Sequence, residues 1–371
     1  MAKAKKTVRT NKSTLPQTSL DFLKKYLNTP SPVGFESEGQ KIWINYLKPY
    51  IDTYFTDPYG TGVGVINPDA KFKVVIEAHA DEISWFVNYI NPEGLLYLKR
   101  NGGVDHQVAP GQRVIIHGDN GPIKAVFGWP AIHTRLGTDK EVHPKVENLF
   151  LDCGARNRKD VESLGIHPGV VVTYRDGFDE LAYDTLIARA FDNRIGGFMI
   201  AEVARLLKEN KKKLPYGLYI VNAVQEEVGL RGAEMIARRI KPDLAIITDV
   251  THDTATPMVN KLVEGDVTCG KGPSLAFGPS VHNKLLSFVR EIAAKKNIPV
   301  QLRAVSRSTG TDTDSFAYAN EGCPSVLISI PLRYMHTTVE MLNRKDIEQT
   351  IRLMYETVLA LTPKTNFSYH L

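Results

Sequence analysis

Apolar positions recur along the chain in two rhythms. Trp43, Leu47, Tyr50 and Ile51 fall at helical spacing and predict a helix over residues 37–51. Residues 73–78 form a short apolar run around Val74, Val75 and Ile76, suited to a buried strand, and it ends in His79-Ala80-Asp81-Glu82. From 83 to about 180 the texture changes. Brief strand-like runs at 85–90, 95–98, 114–116, 125–127 and 170–172 are separated by turn signals such as Gly102-Gly103, Pro110-Gly111 and Pro168-Gly169. They predict a small β-rich, barrel-like unit.

After 183 strand and helix alternate. Ile195, Met199, Val203, Leu206 and Leu207 form one helical stripe, and Leu285, Phe288, Val289 and Ile292 another. Residues 233–240 and 344–361 also read as helices, and 217–224, 244–248, 300–305 and 325–330 as strands. This alternation predicts an α/β fold with a mostly parallel central sheet flanked by helices. The β-rich unit at 83–182 is then an insertion between two halves of one domain, 19–82 and 183–371, preceded by a basic tail over 1–18.

Composition narrows the function classes. With 43% hydrophobic and 23% charged residues, the 371-residue chain reads as an ordinary globular protein of about two units. The net charge of +5 comes from Lys3, Lys5, Lys6, Arg9 and Lys12; without them 41 of the 46 basic residues remain, against 41 acidic ones. A neutral body and a tail without aromatic residues argue against nucleic acid as a partner. No apolar run approaches the ~18 residues of a membrane span, and no apolar leader follows the basic start. Cys153, Cys269 and Cys323 are widely spaced and form no thiolate pair motif. A cytoplasmic location is expected, with no membrane partner.

Candidate chemistry gathers at strand ends. His79 and Asp81 follow the first buried strand, Glu226-Glu227 the strand over 217–224, Asp249 that over 244–248, and His336 that over 325–330; Asp192 sits just before the Ile195 stripe. In open α/β sheets the crevice beyond the carboxyl ends of strands is where ligands bind. Singly, each residue has an ordinary structural reading, Asp192 as a helix cap among them. Together, imidazoles and carboxylates are the donor set for zinc, manganese or cobalt, and a shared carboxylate allows two ions about 3.5–4 Å apart.

At these residues the chain resembles the dinuclear metalloaminopeptidases that assemble into tetrahedral particles, a group including glutamyl, leucyl and lysyl aminopeptidases. The matching segments are His79-Ala80-Asp81-Glu82-Ile83, Ala190 to Arg194, Gln225 to Ala233, Thr248-Asp249-Val250, Gly270 to Pro273, Gly310-Thr311-Asp312 and Arg333 to His336. The resemblance implies two divalent ions, zinc above all, with Asp192 bridging. His79 and Asp249 complete one site, and Glu227 and His336 the other. It implies Glu226 as general base, Asp81 as the carboxylate orienting His79, and the insertion as an oligomerisation and access unit. It further implies peptide substrates with a free N-terminus and a homo-oligomer, a dodecamer in many members of the group.

The chain departs from the family pattern at Ala80, where Met is frequent, and at Thr313, where Ala is. The second change places specificity in doubt, and Arg307 with the loop 310–314 is the expected lining of the first side-chain pocket. Rival readings are another two-metal hydrolase (a carboxypeptidase or an N-deacylase), a two-carboxylate glycosidase, which leaves His79 and His336 unexplained, and a non-enzymatic protein that binds through its tail.

Overall fold

The computed structural model describes residues 15–135 and 142–369. An eight-stranded sheet forms the centre, in the order Thr53–Thr56, Gly62–Ile66, Gly217–Ala223, Lys73–His79, Leu244–His252, Ser325–Leu332, Ser274–Phe277, Gln301–Ala304. The central strands from Gly217–Ala223 to Ser325–Leu332 run parallel, and antiparallel pairings appear only towards the edges. The parallel strands are the most apolar ones, because a strand covered on both faces cannot alternate apolar with polar. The expected α/β architecture is thus observed, with a parallel core inside a mixed sheet.

Helices cover both faces. Consecutive residues of a strand point to opposite sides. Ala78 meets Gly196 of the helix Phe191–Glu209, whereas Glu77 points to Asp312, beside the short helix Thr313–Ala317. Phe191–Glu209 packs on Gln17–Asn28, Ser37–Leu47 and Arg344–Ala360. The helix Gln17–Asn28 begins inside the expected tail 1–18, because Phe22, Leu23, Tyr26 and Leu27 give it a buried face. Residues 1–14, with all five tail cations, lie outside the described residues.

Six strands between Ser84 and Tyr174 close into a barrel, in the order Ser84–Ile90, Leu96–Asn101, Phe150–Asp152, Gly121–Gly128, Arg113–Gly118, Val171–Tyr174. Every pairing within it is antiparallel. It carries its own core, with Trp85, Leu96, Val114, Phe127, Leu151 and Val172 buried together, apart from the core of the large sheet. A small three-stranded sheet joins Asp179–Glu180, Thr185–Ala188 and Glu340–Asn343, with Ala188 opposite Glu340. That pairing sets Glu340 beside the entry to the helix that carries Asp192.

Candidate metal centre and active site

The seven residues singled out at strand ends meet at one place. Parallel register sets Ala223 beside His79 and Asp249 beside Ser329, so the carboxyl ends of the central strands finish together. Asp192 stands between the two histidines. Its Oδ1 lies 3.2 Å from His79 Nε2, and its Oδ2 lies 3.2 Å from His336 Nε2. Around His79 Nε2 lie Glu226 Oε2 at 3.8 Å and Asp249 Oδ1 at 3.9 Å. His336 Nε2 also faces Glu227 Oε1 at 3.3 Å.

Asp81 has a broader part than orienting one imidazole. Its Oδ1 is 3.4 Å from His79 Nδ1, which has no closer acceptor. Its firmer bonds are to backbone: Glu226 N–H donates to Oδ1 at 3.0 Å and Glu227 N–H to Oδ2 at 3.1 Å. Glu226 and Glu227 open a tight helical turn, Glu226–Val228, whose first amides have no partner within the turn. Asp81 supplies that partner and so fixes where both glutamates point.

Glu340, which the sequence did not single out, does the same on the other side. Asp192 N–H donates to Glu340 Oε2 at 3.0 Å and His336 N–H to Glu340 Oε1 at 2.9 Å. One buried carboxylate thereby ties the segment bearing Asp192 to the loop bearing His336. The only sequence trace is an acid four residues after His336. Around the site Ala190, Gln225, Leu230, Tyr334 and His336 have φ near +60°, a region side chains disfavour. The Asp192–Asn193 peptide is cis, and Asn193 Nδ2 donates to Thr248 O at 2.7 Å, next to Asp249.

The barrel reaches the centre through Gly102-Gly103. His336 Nδ1 donates to Gly103 O at 2.9 Å, which leaves Nε2 free to face the carboxylates. A Cβ on Gly103 would lie 2.9 Å from the His336 ring. Behind His79 lie two further buried acids, Glu77 and Asp312, whose carboxylate oxygens receive no protein donor. Burial pushes Glu77 up to about 8, and burial and the neighbouring Glu77 raise Asp312 well above the carboxylate range. One proton held between the two satisfies both observations. The sequence reading did not single out Glu77, whose trace is a charge inside an apolar run.

Electrostatics show a site short of positive charge. Burial, then Asp249, Asp312 and Glu227, push Glu226 up to about 11 against the pull of His79. Burial and Asp192 raise Asp249 to about 7 against His79. Burial works against a charged His336, yet its hydrogen bonds to Asp192 and Glu227 carry it up to about 12. Asp192 itself is held below the usual range: burial opposes this, but hydrogen bonds from His336 and His79 prevail. Protons thus stand where cations would serve. The donors His79, Asp192 and Glu227 lie within 4.8 Å of one another, as do His79, Glu226 and Asp249. The residues present fit divalent ions.

The cavity over this cluster measures about 310 Å³, and Val250, Thr251, His252, Arg303, Thr309, Gly310, Thr311 and Met335 form the rest of its wall. Two expectations need correction. Arg307 is exposed and does not line it; the cation in the wall is Arg303, because alternation along Gln301–Ala304 turns that residue towards the pocket. Thr313 is fully buried below the loop and is not part of the lining. A larger cavity of about 690 Å³ sits around Lys241, Asn320 and Phe367, near the start of strand Leu244–His252, and gathers no comparable donor set.

A sequence model described as M42 glutamyl aminopeptidase matches residues 60–353. The chain belongs to that family. A lysyl aminopeptidase of Pyrococcus furiosus is 31% identical over 92% of this chain and 97% of its own length. A TET aminopeptidase from a marine sediment Thaumarchaeota archaeon superposes with TM-score 0.89 at 30% identity, covering 94% of this chain and 97% of that one. A TET1 peptidase of Pyrococcus horikoshii, which can assemble into a tetrahedron or a large octahedral shell, gives TM-score 0.82 at 26% identity, covering 92% of this chain and all of that one (100%). The M42 chain is therefore an aminopeptidase, a hydrolase of peptide bonds in a family that uses divalent metal. The resemblance drawn from the strand-end motifs is borne out.

Proposed function

We propose that this M42 protein is a two-ion aminopeptidase that removes single residues from the N-termini of peptides. The observation that carries it is the placement of Asp192, one oxygen of which faces His79 and the other His336, each at 3.2 Å. A carboxylate between two imidazoles is the arrangement needed to share one ligand between neighbouring ions. Asp192 with His79 and Asp249 would hold one ion, and Asp192 with Glu227 and His336 the other. Zinc suits these donors, and cobalt and manganese also accept them.

Two ions held by these residues would supply Lewis acidity to a water molecule and to the scissile carbonyl. Glu226 takes the proton of the attacking water on its carboxylate and returns it to the departing amine. Its backbone tether to Asp81 fixes the place of that carboxylate beside His79 and Asp192. The carboxylates around the cavity bind the free α-amine of the substrate, so a chain interior finds no place there. His336, fixed by Gly103 O, and His79 present Nε2 to the centre.

We also infer a homo-oligomer, a dodecamer by likeness to its relatives, with the insertion at 83–182 serving assembly and access to the catalytic unit formed by 19–82 and 183–371. The assemblies of the archaeal TET peptidase support this. In the catalytic unit, Met258, Leu262 and Val263 are apolar residues left 103%, 97% and 74% exposed, an arrangement suited to burial by another copy and so in favour of an oligomer. Among the described residues no helix is long and apolar enough to cross a membrane, which is compatible with a cytoplasmic enzyme.

The discriminating experiment compares a peptide with a free N-terminus and its N-acetylated form, with and without a chelator. Release of the first residue from the free peptide alone, abolished by chelation and restored by zinc, is the expected result. Hydrolysis of the acetylated peptide would instead indicate a carboxypeptidase or deacylase.

A further inference from the structure

Arg303 is a charge that no protein acid answers. It lies on the edge strand Gln301–Ala304, opposite Ala276, and forms part of the wall of the 310 Å³ cavity that holds Glu226, Glu227 and Asp249. Its Nε is buried without a hydrogen-bond partner. Among the described residues it makes no hydrogen bond or ion pair; Asp249 and Glu264 attract it only at longer range. Burial holds its affinity for a proton below that of a free arginine. A guanidinium N–H buried without a partner is unfavourable, and the deficit is recovered when an anion arrives.

The carboxylates nearby are matched by the ions and by the substrate α-amine assigned to them above. Arg303 is then the charge left over in the pocket. Its planar fork pairs with a carboxylate through two parallel hydrogen bonds. The rest of the wall agrees. Thr251, Thr309 and Thr311 contribute hydroxyls, while Val250 and Met335 are the apolar members. A leucyl side chain would leave the guanidinium buried and unpaired, and a lysyl side chain would meet it with like charge.

We propose that Arg303 reads the first side chain of the substrate and selects an N-terminal glutamate or aspartate. This rests on the aminopeptidase site proposed above. Family membership does not decide the matter, since the family description names glutamyl residues while the Pyrococcus furiosus relative is a lysyl enzyme.

The experiment uses the full-length, zinc-loaded protein and a panel of glutamyl, aspartyl, glutaminyl, leucyl and lysyl anilides. Anilides carry no C-terminal carboxylate, so an anion-reading residue can act on them only through the side chain. The wild type is expected to favour glutamyl over glutaminyl anilide about 10–100-fold in kcat/KM. In Arg303→Met that ratio collapses to near one, and Arg303→Lys recovers part of it. Metal content and Tm serve as checks that both variants fold. Calorimetry gives a readout free of turnover: L-glutamate binds the wild type more tightly than L-glutamine, and the difference disappears in Arg303→Met. A wild type that prefers leucyl or lysyl anilide overturns the assignment while leaving the aminopeptidase reading intact, as does an unchanged glutamyl-to-glutaminyl ratio in Arg303→Met. A glutamyl preference seen only with free dipeptides also overturns it, because Arg303 would then be reading the C-terminal carboxylate. Failure to hydrolyse any anilide sinks the aminopeptidase reading and this assignment together.

Discussion

Glu226 is positioned through its backbone, by an amide that donates to Asp81 Oδ1 at 3.0 Å. The same carboxylate holds Glu227 at 3.1 Å and lies 3.4 Å from His79 Nδ1. Asp81 therefore connects the proposed base, one ligand from each ion site and the strand end that carries His79. In Asp81→Asn the side-chain NH₂ would turn one acceptor into a donor facing a backbone N–H. We expect kcat to fall about 100-fold and zinc affinity about 10–100-fold with the fold retained. Anilide kinetics together with metal analysis of dialysed protein check this.

Glu340 makes the matching connection on the opposite side, accepting from the amides of Asp192 and His336. Glu340→Ala leaves both amides without a partner and frees a loop whose His336 is held at φ 62°. The expected result is loss of the second ion at zinc concentrations that saturate the wild type, measured by equilibrium dialysis. Glu340→Gln, which keeps one acceptor oxygen, should lie between the two.

Much of this was legible in the sequence and some was not. The strand ends near His79 and Ala223 could be read because buried parallel strands are continuous apolar runs, and chemistry collects where such runs stop; the strand read over 244–248 continues through Asp249 to His252, and the one read over 325–330 runs on to Leu332. The barrel was visible in its short strands and glycine turns. Thr53–Thr56, Gly62–Ile66 and Ser274–Phe277 escaped because they are only four or five residues long, the first mostly exposed and the second interrupted by Gly62 and Gly64. Glu340 escaped for a different reason. Its role depends on the pairing of Ala188 with Glu340, a contact between segments about 150 residues apart that no local pattern encodes. Arg303 was missed in favour of Arg307 because strand alternation decides which arginine faces the pocket, and the strand proved to end at Ala304.

Gly103 is the barrel's point of contact with the chemistry. A Cβ there would lie 2.9 Å from Cε1 and Nδ1 of His336, closer than packing allows. Gly103→Ala should displace the imidazole, weaken the bond to Gly103 O and lower kcat about 10–100-fold. Barrel stability should be unaffected, since the residue lies in the loop after Leu96–Asn101. Kinetics paired with thermal unfolding separate the two effects.

The pH response of the metal-free chain follows from its raised groups. Burial, outweighed by hydrogen bonds to Asp192 and Glu227, leaves His336 at about 12 against an ordinary 6.5. Burial and neighbouring acids bring Glu226 to about 11 from 4.5 and Asp249 to about 7 from 3.8. A group raised on folding contributes fully below its unfolded value, and that contribution fades as pH climbs through the folded one. The metal-free Tm should therefore fall between about pH 5 and about pH 9. Zinc replaces the protons, so its stabilising effect should grow over the same interval, and binding should release protons. Differential scanning calorimetry with and without zinc measures the gap; a gap that narrows with rising pH would contradict the account.

The most direct test counts ions per chain in the wild type, Asp192→Asn and Glu226→Gln after dialysis against zinc, with anilide turnover measured on the same samples. The account predicts about two ions in the wild type and in Glu226→Gln, with kcat of Glu226→Gln reduced about 10²–10⁴-fold. It predicts that Asp192→Asn loses at least one ion and its activity. Two tightly held ions in Asp192→Asn, or full turnover in Glu226→Gln, would contradict it.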